Sequence, residues 1–410
     1  MWRSPVITCV GRRSPRAPMK FSATSSRGTR LICKETGMQF VLTEEQQLVS
    51  DTVRKLLEKE WDPRRDQALS SAHAVDGPVW RQLAELGLLG VALPESHGGS
   101  GLGAVALGVL CAEFGRQQWR APFLASAVLA GTALEQAPQG EVRDHWLRQL
   151  AEGHGVLTLA ALEADAGYDY RAIALTARAT SSGWRLDGTK HVVMDAACAD
   201  AFLVTCRIDE APALVLLEKD HAGLEAALFT AFDGTSLATL TLTDVALPES
   251  AVIARGPAAH NALDAALAHA ALAAASETLG ACEGAFERTL DYLRLREQFG
   301  TRLATFQALR HRASDLHADL EMLRSLVWGA ADGLMRDPRH GDAFAALALA
   351  VPVGDRVCRE AIQLHGGIGM TQELGIGRYL LRVNALSRLF GDATHNGWRY
   401  LESLEDEHHD

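Results

Sequence analysis

Arg294-Leu-Arg-Glu-Gln-Phe-Gly-Thr-Arg-Leu-Ala-Thr-Phe-Gln307 is the stretch from which the rest of the chain is read. Before it, Glu277 to Tyr292 is Ala-rich, with Leu279, Cys282, Phe286 and Leu290 three or four residues apart. After it, Leu309, Leu316, Leu320, Leu323 and Val327 recur at helical spacing. Gly300 stops the first helix between Arg296 and Gln307. The residues alone admit two readings. One is a plain helical hairpin with exposed polar side chains. The other is a grip for an anionic, aromatic ligand, because an arginine keeps its proton and offers planar donors to phosphate.

Composition narrows the field. At 410 residues the chain is long enough for two or three domains. It is 48% hydrophobic but only 6% aromatic, and its Ala and Leu content leans towards helix. A formal net charge of -11 argues against nucleic acid as the main partner. No apolar run reaches the roughly 18 residues of a membrane span. Ala258 to Ala275 comes closest, and His260, Asn261, Asp264 and His269 interrupt it. The seven cysteines are scattered without metal-ligand spacing, so buried free thiols are expected, with no disulfide and no metal site. The acidic tail Glu405 to Asp410 reads as a solvated end.

Along the chain the texture changes three times. Residues 1–37 are basic and Ser-containing, with no acid before Glu35. They read as a disordered extension. Two origins compete: an organelle transit peptide, which would place the protein in the mitochondrial matrix, or a start at Met38 in a bacterial cytoplasmic protein. Residues 38–155 read as an all-α domain. It opens on a capping box at Thr43 and Gln46 and carries a glycine-rich loop at Pro94 to Gly103. Residues 156–257 read as a middle β domain, barrel or sandwich. Its short segments at Val156–Leu162, Ile173–Thr180, Trp184–Leu186, Ala201–Cys206, Ala213–Leu217 and Leu237–Leu242 are split by turn signals. Residues 258–410 read as a four-helix bundle that includes Gly341 to Gln363.

With its motifs in place this order resembles the acyl-CoA dehydrogenase family, from about Met38 to the end. The pieces that carry the resemblance are Arg296-Glu-Gln-Phe-Gly300 with Phe306-Gln307, and Gln363-Leu-His-Gly-Gly-Ile-Gly-Met370. Pro94-Glu-Ser-His-Gly-Gly-Ser-Gly101 and Thr243-Asp-Val-Ala-Leu-Pro248 support them. The resemblance implies FAD bound across a subunit boundary in a homo- or hetero-oligomer, a dimer of dimers. It assigns Arg296, Phe299 and Gln307 to the FAD diphosphate and adenine side. Gln363, Gly366 and Gly367 fall to the adenosine end of the partner subunit's FAD. The implied reaction removes a proton from Cα and a hydride from Cβ of an acyl-CoA thioester, giving a 2-enoyl-CoA. Electrons then pass to an electron-transfer flavoprotein.

Two departures qualify the resemblance. The family loop Thr-Glu-Pro-Gly-Ala-Gly-Ser-Asp is matched here by Leu162-Glu-Ala-Asp-Ala-Gly-Tyr-Asp169. Likewise Lys-x-Trp-Ile-Thr-Asn becomes Lys190-His-Val-Val-Met-Asp195. The Trp and Thr that pack on the flavin are thus Val192 and Met194, and only backbone contacts remain to hold the ring. The second departure concerns the base. Phe390 or Gly391 holds the position of the usual Glu, and the alternative helix position falls near Ala270. Asp392 is the provisional base, His395 a weaker candidate, and a turn or cap is the structural role open to Asp392. Three functions therefore stand: dehydrogenation with Asp392 as base, a non-catalytic subunit that completes a partner's FAD site, or oxidase or monooxygenase chemistry on the same fold.

Overall fold

The computed structural model describes residues 42–62, 75 and 77–406. The basic extension, the proposed start at Met38 and the last residues of the acidic tail lie outside the described residues. Thr43 caps helix α1 (Glu44–Glu60) with the expected box: its hydroxyl accepts from Gln46 N–H at 3.2 Å, and Gln46 Oε1 accepts from Thr43 N–H at 3.0 Å. Val49, Val53, Leu56 and Leu57 form the buried face of α1. α2 (Pro78–Glu85), α3 (Gly103–Gln117), α4 (Gly131–Glu135) and α5 (Glu141–Ala151) complete the N-terminal region. A π-helical segment, Leu124–Ala130, leads into α4.

The middle region is two four-stranded sheets packed face to face, not a closed barrel. One sheet orders β1 (Leu157–Ala160), β4 (Ala201–Ile208), β5 (Ala211–Glu218) and β8 (Val252–Arg255). The other orders β2 (Ala177–Thr180), β3 (Gly183–Met194), β7 (Ser236–Leu247) and β6 (Leu224–Thr230). Among the described strands of these two sheets, β1 and β4 pair in parallel and the other pairings are antiparallel. Leu186, Phe202, Val204, Leu240 and Val245 fill the space between the sheets, as alternate residues must when each sheet hides one face.

The C-terminal bundle contains α6 (Pro257–Leu295), α7 (Gln307–Arg336), α8 (Asp342–His365), α9 (Gly377–Leu389) and α10 (Ala393–Asp406). The 39-residue α6 is its axis and is buried for most of its length. α3 crosses it backbone to backbone. A Cβ at Gly280 would lie 1.8 Å from Ala112 O, and one at Gly115 would lie 1.9 Å from Glu277 O, so only glycine allows this approach. Ion pairs then tie α1, α3, α6 and α7 together: Arg54 with Glu113, Arg116 with Glu283 and Glu287, and Arg324 with Glu283. Among the described residues no helix is long and apolar enough to cross a membrane.

Candidate functional site: a nucleotide clamp and a closed cleft

The expected hairpin at the end of α6 carries a two-stranded ribbon. β9 (Glu297–Gln298) pairs with β10 (Thr301–Arg302), and Phe299 and Gly300 form its tip at φ +55° and +75°. Two left-handed residues are what a type I′ turn requires, and a bulky Phe there stores strain. Phe299 is 90% exposed, and its ring meets Phe306 edge to face at 6.1 Å. Arg294 pairs with Asp291 at 3.0 Å and Arg302 with Glu297 at 3.7 Å. Arg296, exposed between them, forms no ion pair among the described residues. Gln307 starts α7 beside His311, also exposed.

The second motif meets the first in the same chain. α8 ends at His365, whose Nδ1–H donates to Ala361 O at 2.7 Å and whose ring stacks on Tyr292 of α6 at 4.6 Å. Burial lowers the His365 pKa, which favours the neutral ring in that stack. Beyond it, Gly366 adopts φ +67°, ψ −146°, a conformation close to glycine-only. A Cβ at Gly366 or Gly367 would meet nothing within 4 Å, so this is an open cradle. Gln363 is exposed on the preceding turn. Leu295 and Met370, each 79% exposed, flank the two motifs.

The middle-domain cleft is arranged differently. Glu163 pairs with buried Lys190 at 2.6 Å and accepts from the Ala174 and Leu175 N–H groups, closing the 163–175 loop. Tyr168, at the family's Ser position, places its ring 5.6 Å from that of His395. Tyr170 is buried, donates its hydroxyl to Leu389 O at 2.9 Å, and has its phenol pKa pushed up by burial. A bulge in β3 between Lys190 and Val193 sets Val192 at φ +53°. Met194 is buried and, with Arg120, Leu124, Thr235, Arg382 and Leu389, bounds a cavity of about 10 Å³.

Arg382 was not singled out from the sequence. It bridges Glu277 of α6 at 2.5 Å and Asp233 at 2.9 Å, with Thr235 at 3.1 Å. Burial alone would raise Asp233, but Arg382 and Thr235 outweigh it and hold the carboxyl below its ordinary value. The usable signal was an acid, Glu277, close behind the small, apolar run Ala270–Ala275 of α6, since a buried charge demands a partner.

Asp392 caps a helix. Its Oδ1 accepts from His395 N–H at 2.8 Å at the start of α10, and the residue is exposed. Gly391 sits at φ +93°, and a Cβ there would lie 2.6 Å from His395 Cδ2. Phe390 points inward beside a cavity of about 20 Å³ also lined by Tyr168, Leu267, Phe344, His395 and Arg399. Among the described residues lining it there is no carboxylate. Burial, helped by Arg399, lowers the His395 pKa and keeps its imidazole neutral near pH 7. Ala270 is buried in α6.

The three-domain fold agrees with comparisons to known proteins. The profile "Acyl-CoA dehydrogenase, N-terminal domain" matches residues 43–154, the middle-domain profile 158–245 and the C-terminal-domain profile 260–393. The chain belongs to the acyl-CoA dehydrogenase family, whose members are oxidoreductases acting on acyl-CoA thioesters. Among its relatives, acyl-CoA dehydrogenase FadE28 of Mycobacterium tuberculosis is 30% identical, covering 87% of this chain and 96% of its own. FadE27 of the same organism is 29% identical with the same coverage. A solved structure of a variant of the Tcur3481-Tcur3483 steroid ACAD is 32% identical with a TM-score of 0.78, covering 90% of this chain and 99% of its own. The ChsE4-ChsE5 complex from Mycobacterium tuberculosis is 27% identical with a TM-score of 0.79 over the same shares.

Proposed function

We propose that this chain is the FAD-clamping subunit of an acyl-CoA dehydrogenase that converts an acyl-CoA to a 2-enoyl-CoA and passes electrons to an electron-transfer flavoprotein. The observation that carries the reading is the Tyr292–His365 stack, which sets the Arg296 turn beside the Gly366–Gly367 cradle at one end of the bundle. The residues fit a nucleotide. Arg296 is free to pair with a diphosphate. Phe299 and Gln307 offer an aromatic face and an amide, and Gln363 flanks glycines that let a backbone come close. The bound FAD supplies the two-electron acceptor for the reaction.

The proton-accepting carboxylate is assigned to a partner chain, because Asp392 is engaged as a cap and no carboxylate lines the cavity beside Phe390. Two similar solved structures carry the names of pairs of proteins, which supports an assembly of unlike subunits. Asp392 as the base is the second reading. It is favoured by the residue's place next to Gly391 and by a cap that engages Oδ1 only.

Anaerobic addition of acyl-CoA to the purified assembly tests both. Bleaching of the flavin is expected, with Arg296→Ala stripping FAD and Asp392→Asn leaving the rate within about twofold. A hundredfold loss in Asp392→Asn would establish the second reading. An assembly that no acyl-CoA bleaches ends the proposal.

A further inference from the structure

We infer that the groove between α5 and the ends of β5 and β7 binds a small organic cation, an ammonium group carried on an apolar body. The groove holds about 490 Å³, within the range of sites that take metabolite-sized molecules. Its residues come from α5, from the end of β5 with the turn after it, and from the end of β7 with the turn that leads to β8. None of them belongs to the proposed clamp or lines the cavities beside Phe390 and Met194.

The walls are apolar. Leu216 and Leu247 are buried, and Val142, Trp146, Pro248 and Ala251 continue the surface they form. The Trp146 indole is backed by main chain: a Cβ at Gly155 would lie 3.1 Å from its Cζ3. His145 meets the same ring at 6.2 Å, inclined by 82°. A half-buried indole at the edge of a groove offers a face to a cation.

The charge around these walls has one sign. Glu141, Glu218 and Asp220 line the groove, are exposed, and form no ion pair among the described residues. Lys219, between two of them in sequence, is bound to Asp200 at 3.1 Å. No lysine or arginine is among the described residues lining the groove. The hydrogen-bonding capacity is biased the same way. Carboxylates only accept, and the His221 Nδ1–H donates to Ala222 O at 2.9 Å, which leaves Nε2 of the neutral ring as a further acceptor. Ser250 and His145 can serve either way.

These features select among ligand classes. An anion would face three carboxylates and no basic side chain. A metal ion would find apolar walls, and among the described residues no three His, Cys, Asp or Glu side chains are grouped to hold one. A neutral apolar molecule would leave the acceptors unused. An ammonium group on a hydrocarbon or aromatic body satisfies the carboxylates and covers the walls together. The chain's formal net charge of -11 adds long-range attraction for it.

The test is calorimetric titration of the purified full chain with three molecules of one shape: phenylbutylamine, phenylbutanol and phenylbutyrate. The amine, protonated at neutral pH, should bind once per chain with a dissociation constant of about millimolar or below. The alcohol should bind about tenfold more weakly, and the carboxylate should give no saturable heat. No saturable binding of the amine, or equal binding of amine and alcohol, overturns the inference. Glu218→Gln with Asp220→Asn alters two exposed side chains. It should weaken the amine by about tenfold and leave the alcohol within about twofold; unchanged amine binding overturns the inference. Trp146→Leu should weaken amine and alcohol alike, and if it weakens neither the groove is not the site. A lysine-rich peptide that binds a hundredfold more tightly than the amine would give the groove to a protein partner instead. Every outcome is independent of the FAD reading, because the groove shares no residue with the clamp.

Discussion

The ring of Tyr292 lies 4.6 Å from that of His365, inclined by 29°. This contact joins the last turn of α6 to the last turn of α8, and each of those turns leads directly into one half of the proposed clamp. An aromatic pair of this kind adds about 0.5–1.5 kcal/mol beyond its buried area. His365→Ala should therefore weaken FAD retention by the assembly roughly two- to tenfold, through looser spacing between Arg296 and Gly366. His365→Phe should recover most of the loss. Flavin release on dilution measures it, and unchanged retention in His365→Ala would show that the stack does not set the clamp.

The Glu277–Arg382–Asp233 triad makes a stability prediction of known sign. Its three side chains are 4%, 11% and 2% exposed. Removing the cation leaves two buried acids facing each other, which costs about 3–5 kcal/mol for one broken pair. Arg382→Met should thus lower Tm by many degrees. The triple change to Met with Gln and Asn should cost less than the single change, because the stranded charges go with it. Denaturant unfolding of the two variants decides this, and equal losses would mean that the triad is not coupled.

The order of domains was legible because periodicity and turn residues survive in one sequence. Thr43 and Gln46 formed their box, and the Arg294–Gln307 turn fell between two long helices. β6 went unread. Leu224-Glu-Ala-Ala-Leu-Phe-Thr230 is rich in helix formers, and it is a strand only because β7 pairs with it along its whole length. The residues of the proposed clamp, Arg296, Gly366 and Gly367, stood out in the sequence since glycine and arginine act through backbone shape and fixed charge. The state of Asp392 did not, because cap and base use the same carboxylate and differ only in where it points. Val192 and Met194 were legible as departures from the family pattern, but the Glu277–Arg382–Asp233 bridge was not, because its members lie far apart in the chain.

Buried histidines weaken the fold on the acid side. Burial lowers the pKa of both His269 and His365 below the ordinary value, about 6.5. The folded state therefore binds these protons less readily than the unfolded chain. Stability is fully present above about pH 6.5 and is lost as pH falls from there towards the lowered folded values. A tenfold weaker hold on one proton in the folded state is worth about 1.4 kcal/mol. Tm measured from pH 8 to pH 5 should fall below pH 6.5, and less steeply in His269→Gln. A profile flat to pH 5 would contradict this.

Gly391 is the position at which restoring a carboxylate would be tried first, and the structure predicts that this fails. Its φ of +93° disfavours any side chain, and a Cβ would strike His395 Cδ2 at 2.6 Å and Asn396 Nδ2 at 3.0 Å. Asn396 has little room to move, since its amide donates to the carbonyls of Phe390, Gly391 and Asp392. Gly391→Glu should therefore destabilise the chain by about 1–3 kcal/mol from backbone strain alone, and it should add no turnover. His395→Ala removes the nearer obstacle. In the double variant the steric part of the loss should return, leaving the strain of the left-handed backbone. Unfolding of the single and double variants separates the two contributions. If Gly391→Glu is as stable as the wild type, the imidazole does not guard that position, and a carboxylate there becomes a fair route to a base in this chain.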